Sequence, residues 1–185
     1  IAVAEAARLM GVRRLVFAST YGVYRWNPPP KAPVDEEYPL AGDVFYSGSK
    51  VACEKILLAY SNKYRMELAI PRFAGVYGPG LYAGGSAVGL NMHRIIEAAA
   101  SGGPVRIDPG LLGTFEYVYV KDIVQGVAAA CQRPLKHKVF NLGTAVLSSS
   151  ADIAEAIRTA FPQAKVELEA PPPGRPGPRR AQPQD

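Results

Sequence analysis

The stretch Phe45-Tyr46-Ser47-Gly48-Ser49-Lys50, running straight into Val51-Ala52-Cys53-Glu54-Lys55-Ile56-Leu57-Leu58, decides how the rest of the chain is read. On a helix that opens near Ser47, Tyr46 and Lys50 stand at i and i+4 and project from neighbouring turns of one face. A free phenol has a pKa of about 10 and is a poor base at neutral pH. A lysine ammonium held beside it favours the phenolate. The spacing therefore defines a candidate general acid–base pair. The same spacing also arises on ordinary solvated helix faces, so the pair takes its meaning from the sequence around it.

Outward from that stretch, short apolar runs alternate with helical patterns. Residues 1–10 are helical, with Gly11 as a C-terminal cap. Residues 13–20 read as a buried strand that ends in the small polar pair Ser19-Thr20. Five prolines (28, 29, 30, 33 and 39) exclude a helix from the segment before Tyr46. Within that segment Asp35, Glu36 and Glu37 read as a solvated acidic turn. The helix after Tyr46 is expected to reach about Lys63. A strand follows over 67–73, then a turn over 76–80 and a glycine-marked loop at 84, 85 and 89. Further helices are expected over about 89–100, 122–130 and 153–161, the last capped by Ser149 with Asp152. Strands are expected over 105–107, 115–120, 139–142 and 166–168. This alternation predicts an α/β fold with a largely parallel sheet. Ligands of such sheets bind at the carboxyl ends of the strands, where Ser19 and Thr20 fall.

Composition narrows the function class. With 185 residues, 48% hydrophobic and 20% charged, the chain has the make-up of an ordinary globular domain. No apolar run approaches the roughly 20 residues that span a bilayer. The net charge of +5 is modest, and no basic stripe interleaved with aromatics marks a nucleic-acid surface. Cys53 and Cys131 have neither metal-ligand nor disulfide spacing and read as small buried thiols of a reducing cytoplasm. The opening segment carries Glu5 and Arg8 without a cleavage pattern, so the expected location is cytoplasmic. Residues 171–185 contain six prolines and read as a disordered tail. The chain opens at Ile1 inside a helical pattern, which reads as a piece of a longer protein.

Four stretches in order carry a family resemblance: Leu15-Val16-Phe17-Ala18-Ser19-Thr20 with Val23-Tyr24; Tyr46-Ser47-Gly48-Ser49-Lys50; Pro71-Arg72-Phe73 with Val76-Tyr77-Gly78-Pro79-Gly80; and Tyr117-Val118-Tyr119-Val120-Lys121-Asp122. Phe140-Asn141-Leu142-Gly143-Thr144 adds a fifth. Together they resemble the extended short-chain dehydrogenase/reductase family, in its NAD-dependent epimerase/dehydratase branch. The resemblance implies the C-terminal portion of a Rossmann-like doubly wound parallel sheet over about 1–170. It also implies a small substrate-binding subdomain, drawn from about 75–120 and 145–170.

The resemblance implies catalytic roles for Tyr46, Lys50 and Thr20, and cofactor contacts from Tyr46, Lys50, Arg72 and Phe73, with no metal. Tyr46 exchanges a proton with a substrate hydroxyl or carbonyl, Lys50 tunes it and holds the nicotinamide ribose, and Thr20 positions the same substrate oxygen. The cofactor is NAD or NADP. The substrate is a sugar, nucleotide sugar or related hydroxy/keto compound, and the reaction an epimerisation or dehydrogenation. A homodimer through helices at about 47–63 and 89–100 is likewise implied. Alternatives of the same fold are a non-catalytic dinucleotide- or partner-binding protein, or an inactive fragment.

Three departures qualify the match. No glycine fingerprint for a pyrophosphate follows a strand. Gly75 stands where many nucleotide-sugar members carry Asn, and Phe115-Glu116 where they carry Arg. An aromatic and an acid cannot hold a diphosphate by charge. Tyr21-Gly22 after Thr20 replaces the Asp-Glu pair of sugar 4,6-dehydratases, which favours an epimerase or dehydrogenase. His93, in a helical run, is a candidate additional acid or a plain helix residue.

Overall fold

The computed structural model describes residues 1–26, 33–80 and 86–170. Pro28, Pro29, Pro30, Gly84, Gly85 and the tail over 171–185 lie outside the described residues. In chain order the elements are α1 (Ala2–Leu9), β1 (Arg14–Val16), β2 (Ser19–Thr20), α2 (Phe45–Tyr64), β3 (Glu67–Phe73), β4 (Gly75–Tyr77) and α3 (Ala87–Ala100). There follow β5 (Pro104–Ile107), β6 (Phe115–Tyr119), α4 (Val120–Gln132), β7 (Val139–Leu142), β8 (Leu147–Ser148), α5 (Ser150–Ala160) and β9 (Lys165–Leu168). They form two compact units: Ile1–Ala74 with Asp122–Leu142, and Gly75–Lys121 with the described residues from Gly143 onward.

The first unit is built on β3, whose Leu68, Ala69 and Ile70 are all but inaccessible. A strand buried on both faces reads as a continuous apolar run, which is how parallel sheets are recognised. β1 and β2 pair with one side of β3, and β7 with the other, all parallel. β1 and β2 hold one register, with Val16 opposite Ala69 and Ser19 opposite Arg72. The residue between them that faces Pro71 is Ala18. Proline has no N–H to give a ladder, so the single strand expected over 13–20 becomes two pieces of one line.

Helix α2 lies against this sheet through Glu54, Leu57 and Ser61, a stripe at helical spacing. The helix ends at Tyr64, as its pattern suggested, and Arg65 closes it in the left-handed region at φ 54°. Cys53 lies off the buried stripe, and Cys131 stands in the last turn of α4. Both thiols are therefore exposed, not buried as their apolar surroundings suggested. A second correction concerns the acidic turn. Glu36 is half-buried and its carboxylate accepts the backbone N–H of Asn141 at 2.6 Å, so it ties the turn to β7 instead of merely facing solvent.

In the second unit β4 pairs with β6 in parallel and β8 joins β6 antiparallel, while β5 and β9 form a separate parallel pair. The residues expected as a turn begin as strand, because β6 offers Val76 and Tyr77 a ladder. The chain leaves that ladder at Gly78, whose φ is +136°. The core gathers Met92 and Ile95 of α3, Val105 and Ile107 of β5, and Ile153 and Ile157 of α5. Ser149 and Asp152 form the expected reciprocal cap: Ser149 Oγ accepts from the Asp152 N–H, and Asp152 Oδ2 from the Ser149 N–H at 2.8 Å. Among the described residues no helix is long and apolar enough to cross a membrane.

Candidate active site

The first unit brings the ends of β2 and β3 together with the first turns of α2. Thr20 pairs in register with Phe73, so both stand at the carboxyl end of the parallel strands. Thr20 Oγ1 accepts the Gly22 N–H at 3.1 Å and starts a single 3-10 turn over Tyr21–Val23. Its own hydroxyl hydrogen is a rotor that can be aimed at a ligand.

Tyr46 sits in the first turn of α2 and is 57% exposed, which leaves it open to a substrate. One turn on, Lys50 Nζ donates to Ala18 O at 2.9 Å and lies 5.8 Å from the centre of the Tyr46 ring. The same ammonium stands 4.9 Å over the ring of Phe17. An ammonium has three donors, so the bond to Ala18 fixes the side chain without exhausting it. Lysine and threonine are thereby tied to one short segment, residues 18–20. Gly48, between Tyr46 and Lys50, allows the preceding chain to cross the helix. A Cβ there would meet Gly42 O at 2.9 Å.

Arg72 and Phe73, adjacent in sequence, have different environments. Phe73 is half-buried at the strand end. Arg72 is 4% exposed, a cation inside the fold. Its Nε and Nη2 donate to the two carboxylate oxygens of Glu54 at 3.1 and 2.7 Å, and its Nη1 to Tyr24 Oη at 2.9 Å and Glu36 O at 3.0 Å. Tyr24 Oη in turn donates to Asn141 Oδ1 at 2.6 Å. Ser19 Oγ donates to Glu54 Oε1 at 2.5 Å. Burial works to lower the Arg72 pKa, but its bonds to Glu54 and Tyr24 outweigh that and hold the guanidinium charged. Burial pushes the Tyr24 phenol up, against the pull of Arg72.

Glu54, Ser19 and Asn141 carry none of the expected site roles, yet they join the site's elements. A signal was present: an acid at position 54 on the apolar stripe of α2 and a cation inside the apolar run of β3 each need a buried partner.

His93 is in the second unit, mid-way along α3, with Nε2 3.1 Å from Glu97 Oε1 one turn on. In that unit the two sequence departures meet. A Cβ at Gly75 would lie 2.8 Å from Phe115 Cδ1, so the Phe115 ring fills the space beside position 75. Glu116 Oε1 accepts the Ala145 N–H at 2.8 Å, and the left-handed turn at Ala145 (φ 57°) is held by that bond. Among the described residues no group of His, Cys, Asp and Glu could hold a metal ion.

Comparison with known proteins agrees with this architecture. Residues 1–143 match the model of the NAD dependent epimerase/dehydratase family. The UDP-glucose 4-epimerase of Mycolicibacterium smegmatis is 33% identical over 160 residues, covering 86% of this chain and 50% of that protein. The UDP-glucuronate 4-epimerase of Thermodesulfobacterium geofontis is 26% identical over 140 residues, 75% of this chain and 41% of that protein. Among solved structures, the Thermus thermophilus UDP-glucose 4-epimerase in complex with NAD aligns at a TM-score of 0.73 and 29% identity, over 95% of this chain and 57% of that one. An L-threonine dehydrogenase from Cupriavidus necator shares the fold at a TM-score of 0.75 and 19% identity, over 97% of this chain and 56% of that one. The chain belongs to the NAD-dependent epimerase/dehydratase family, with an α/β fold of the Rossmann kind. It spans about half the length of the curated relatives it matches.

Proposed function

We propose that this chain carries the proton-transfer residues of an NAD-dependent enzyme that oxidises or epimerises a carbinol carbon of a sugar-like substrate. The observation that carries the reading is the tether from Lys50 to Ala18 O, which holds the ammonium between Tyr46 and the Thr20 strand end. As the phenolate, Tyr46 takes a proton from the substrate hydroxyl, and as the phenol it returns one when the carbonyl is reduced. Thr20 donates a hydrogen bond to the same oxygen and sets its distance from Tyr46. Lys50 keeps a positive charge beside the phenol, so a developing phenolate is matched by a fixed cation.

The residues present fit one end of the dinucleotide. Lys50 retains donors for a pair of ribose hydroxyls, and Phe73 offers an apolar surface at the strand end for a nicotinamide ring. Arg72 serves this end from behind, since its guanidinium is committed to Glu54, Tyr24 and Glu36. No described turn has the glycine pattern of a pyrophosphate cradle, so the fit concerns the nicotinamide-ribose end alone. When bound, the dinucleotide supplies the hydride acceptor.

The substrate reading is a UDP-hexose or UDP-hexuronate, supported by the relatives' names. A homodimer through α2 and α3 belongs to the same proposal; α2 leaves Ala52, Cys53 and Ile56 exposed, the last two lining an apolar cavity with Leu15 and Phe17. Sedimentation velocity of the full-length protein tests it, and a monomer at micromolar concentration removes it. For the chemistry, Tyr46→Phe in the full-length protein is expected to lower turnover of UDP-glucose or UDP-glucuronate about 10²–10⁴-fold. Calorimetric NAD affinity should stay within about twofold. Unchanged turnover would sink the assignment and leave a dinucleotide-binding protein of the same fold.

A further inference from the structure

The charged network beneath the site consists of side chains to which the proposed chemistry assigns no contact with substrate. Glu54 is completely buried, one turn beyond Lys50 on the same face of α2. Both its oxygens are engaged: Oε1 with Ser19 Oγ and Arg72 Nε, Oε2 with Arg72 Nη2. Ser19 immediately precedes Thr20, and Arg72 immediately precedes Phe73. The bonds continue through Tyr24 to Asn141 of β7. One carboxylate on the helix that carries Tyr46 and Lys50 is thus bonded to two of the strands whose ends complete the site.

Stability does not account for this arrangement. A buried ion pair loses in desolvation much of what it gains in attraction, and well-packed apolar residues of the same volume often hold a fold as well or better. Directional bonds differ from apolar contact in fixing the rise and rotation of a helix. A slip of one residue along α2 would shift it 1.5 Å and turn it 100°, and apolar side chains resist smaller slides only weakly.

We propose that Glu54 is a positioning residue: bonded to Ser19 and Arg72, it locks α2 to the sheet so that Tyr46 and Lys50 meet Thr20 at a fixed distance. The proposal rests on the reading of Tyr46 as the proton-transfer group. It predicts that the pair can be removed without unfolding the protein but not without slowing it. A misplacement of about 1 Å at reacting groups can cost about 10²-fold in rate.

The test is the double variant Glu54→Leu with Arg72→Met in the full-length protein, assayed beside wild type and Tyr46→Phe with NAD and UDP-glucose or UDP-glucuronate. A urea midpoint at or above wild type, KM within about twofold and kcat lowered about 10²-fold are expected. A folded double variant with wild-type kcat overturns the proposal. If the double variant does not fold, Ser19→Ala decides. It leaves the Glu54–Arg72 pair intact and is expected to lower kcat about tenfold at unchanged KM, and wild-type kcat there overturns the proposal as well. Turnover retained in Tyr46→Phe, or none in wild type, overturns the underlying reading instead, and the proposal falls with it. The split between kcat and KM in a folded variant is what a merely structural role would not produce.

Discussion

The two units solve the problem of a buried core in different ways. The second unit fills its centre with Met92, Ile95, Val105, Ile107, Ile153 and Ile157, and no charged side chain is buried there among the described residues. The first has an apolar cluster of its own around Leu57, Leu68 and Ile70, but sets beside it the buried Glu54, Arg72, Ser19 and the hydroxyl end of Tyr24. Non-directional burial suffices where the task is to hold a shape. Where side chains from α2, β2 and β3 must converge, the fold uses bonds that specify angle and distance.

The strongest way to break the contrast is to remove one partner in each core. Arg72→Ala leaves Glu54 buried and unpaired, and is expected to destabilise the protein by about 3–5 kcal/mol. Replacing both partners by Leu and Met should return the whole of that loss, which urea titration of the three proteins will read. In the second unit Ile107→Ala removes packing alone and is expected to cost about 2–5 kcal/mol. No second apolar substitution at its neighbours should restore it as the double variant restores the pair.

A smaller effect sharpens the comparison through pH. Burial pushes the Tyr117 phenol of the second unit up to about 12, against about 10 in an unfolded chain. Below pH 10 both states keep the proton and nothing is lost. Between pH 10 and 12 the unfolded chain releases its proton first and binds fewer than the folded one. Stability therefore falls as pH rises, by about 2–3 kcal/mol over that window. Tyr117→Phe should flatten the fall between urea midpoints measured at pH 9 and 11. Tyr24 is raised in the same direction, so the slope that remains in the variant reports the first unit.

The smallest expected effect lies where the chain departs from its family's pattern. Gly75→Ala would set a Cβ 2.8 Å from Phe115 Cδ1 and 3.1 Å from Glu116 O, at a cost of about 1–3 kcal/mol. Adding Phe115→Ala relieves the ring contact but not the carbonyl. A double-mutant cycle should therefore show a coupling of about 0.5–3 kcal/mol between positions that sequence reading treated as separate. Additive effects would mean that the two departures are independent.

Features set by neighbouring residues were legible in the sequence. The stretch 67–73 was legible as a strand, and the burial of its Leu68, Ala69 and Ile70 fits the apolar run at its centre. Ser149 and Asp152 marked a helix start because their bonds span only three positions. Tyr46 and Lys50 shared a face because helical geometry alone puts them there. Glu36 of the acidic turn and the two cysteines were misread for one reason. Whether Glu36 or Cys53 is covered depends on what packs over it, and polarity or apolar neighbours in sequence do not say.

Only the tertiary structure decided which charges would meet. Glu54 and Arg72 are 18 residues apart, Ser19 and Glu54 are 35, and Tyr24 and Asn141 are 117. The sequence by itself determined the helices, most of the strands and the Tyr46–Lys50 face, since these follow from backbone geometry and local burial, while the split of β1 from β2 and the short β4 and β8 depend on the strands beside them. The three-dimensional fold determined that Lys50 reaches Ala18, that Glu54 is bonded to Ser19 and Arg72, and that Phe115 covers Gly75. Those contacts come from strand register and helix docking, which bring together residues that no local period relates.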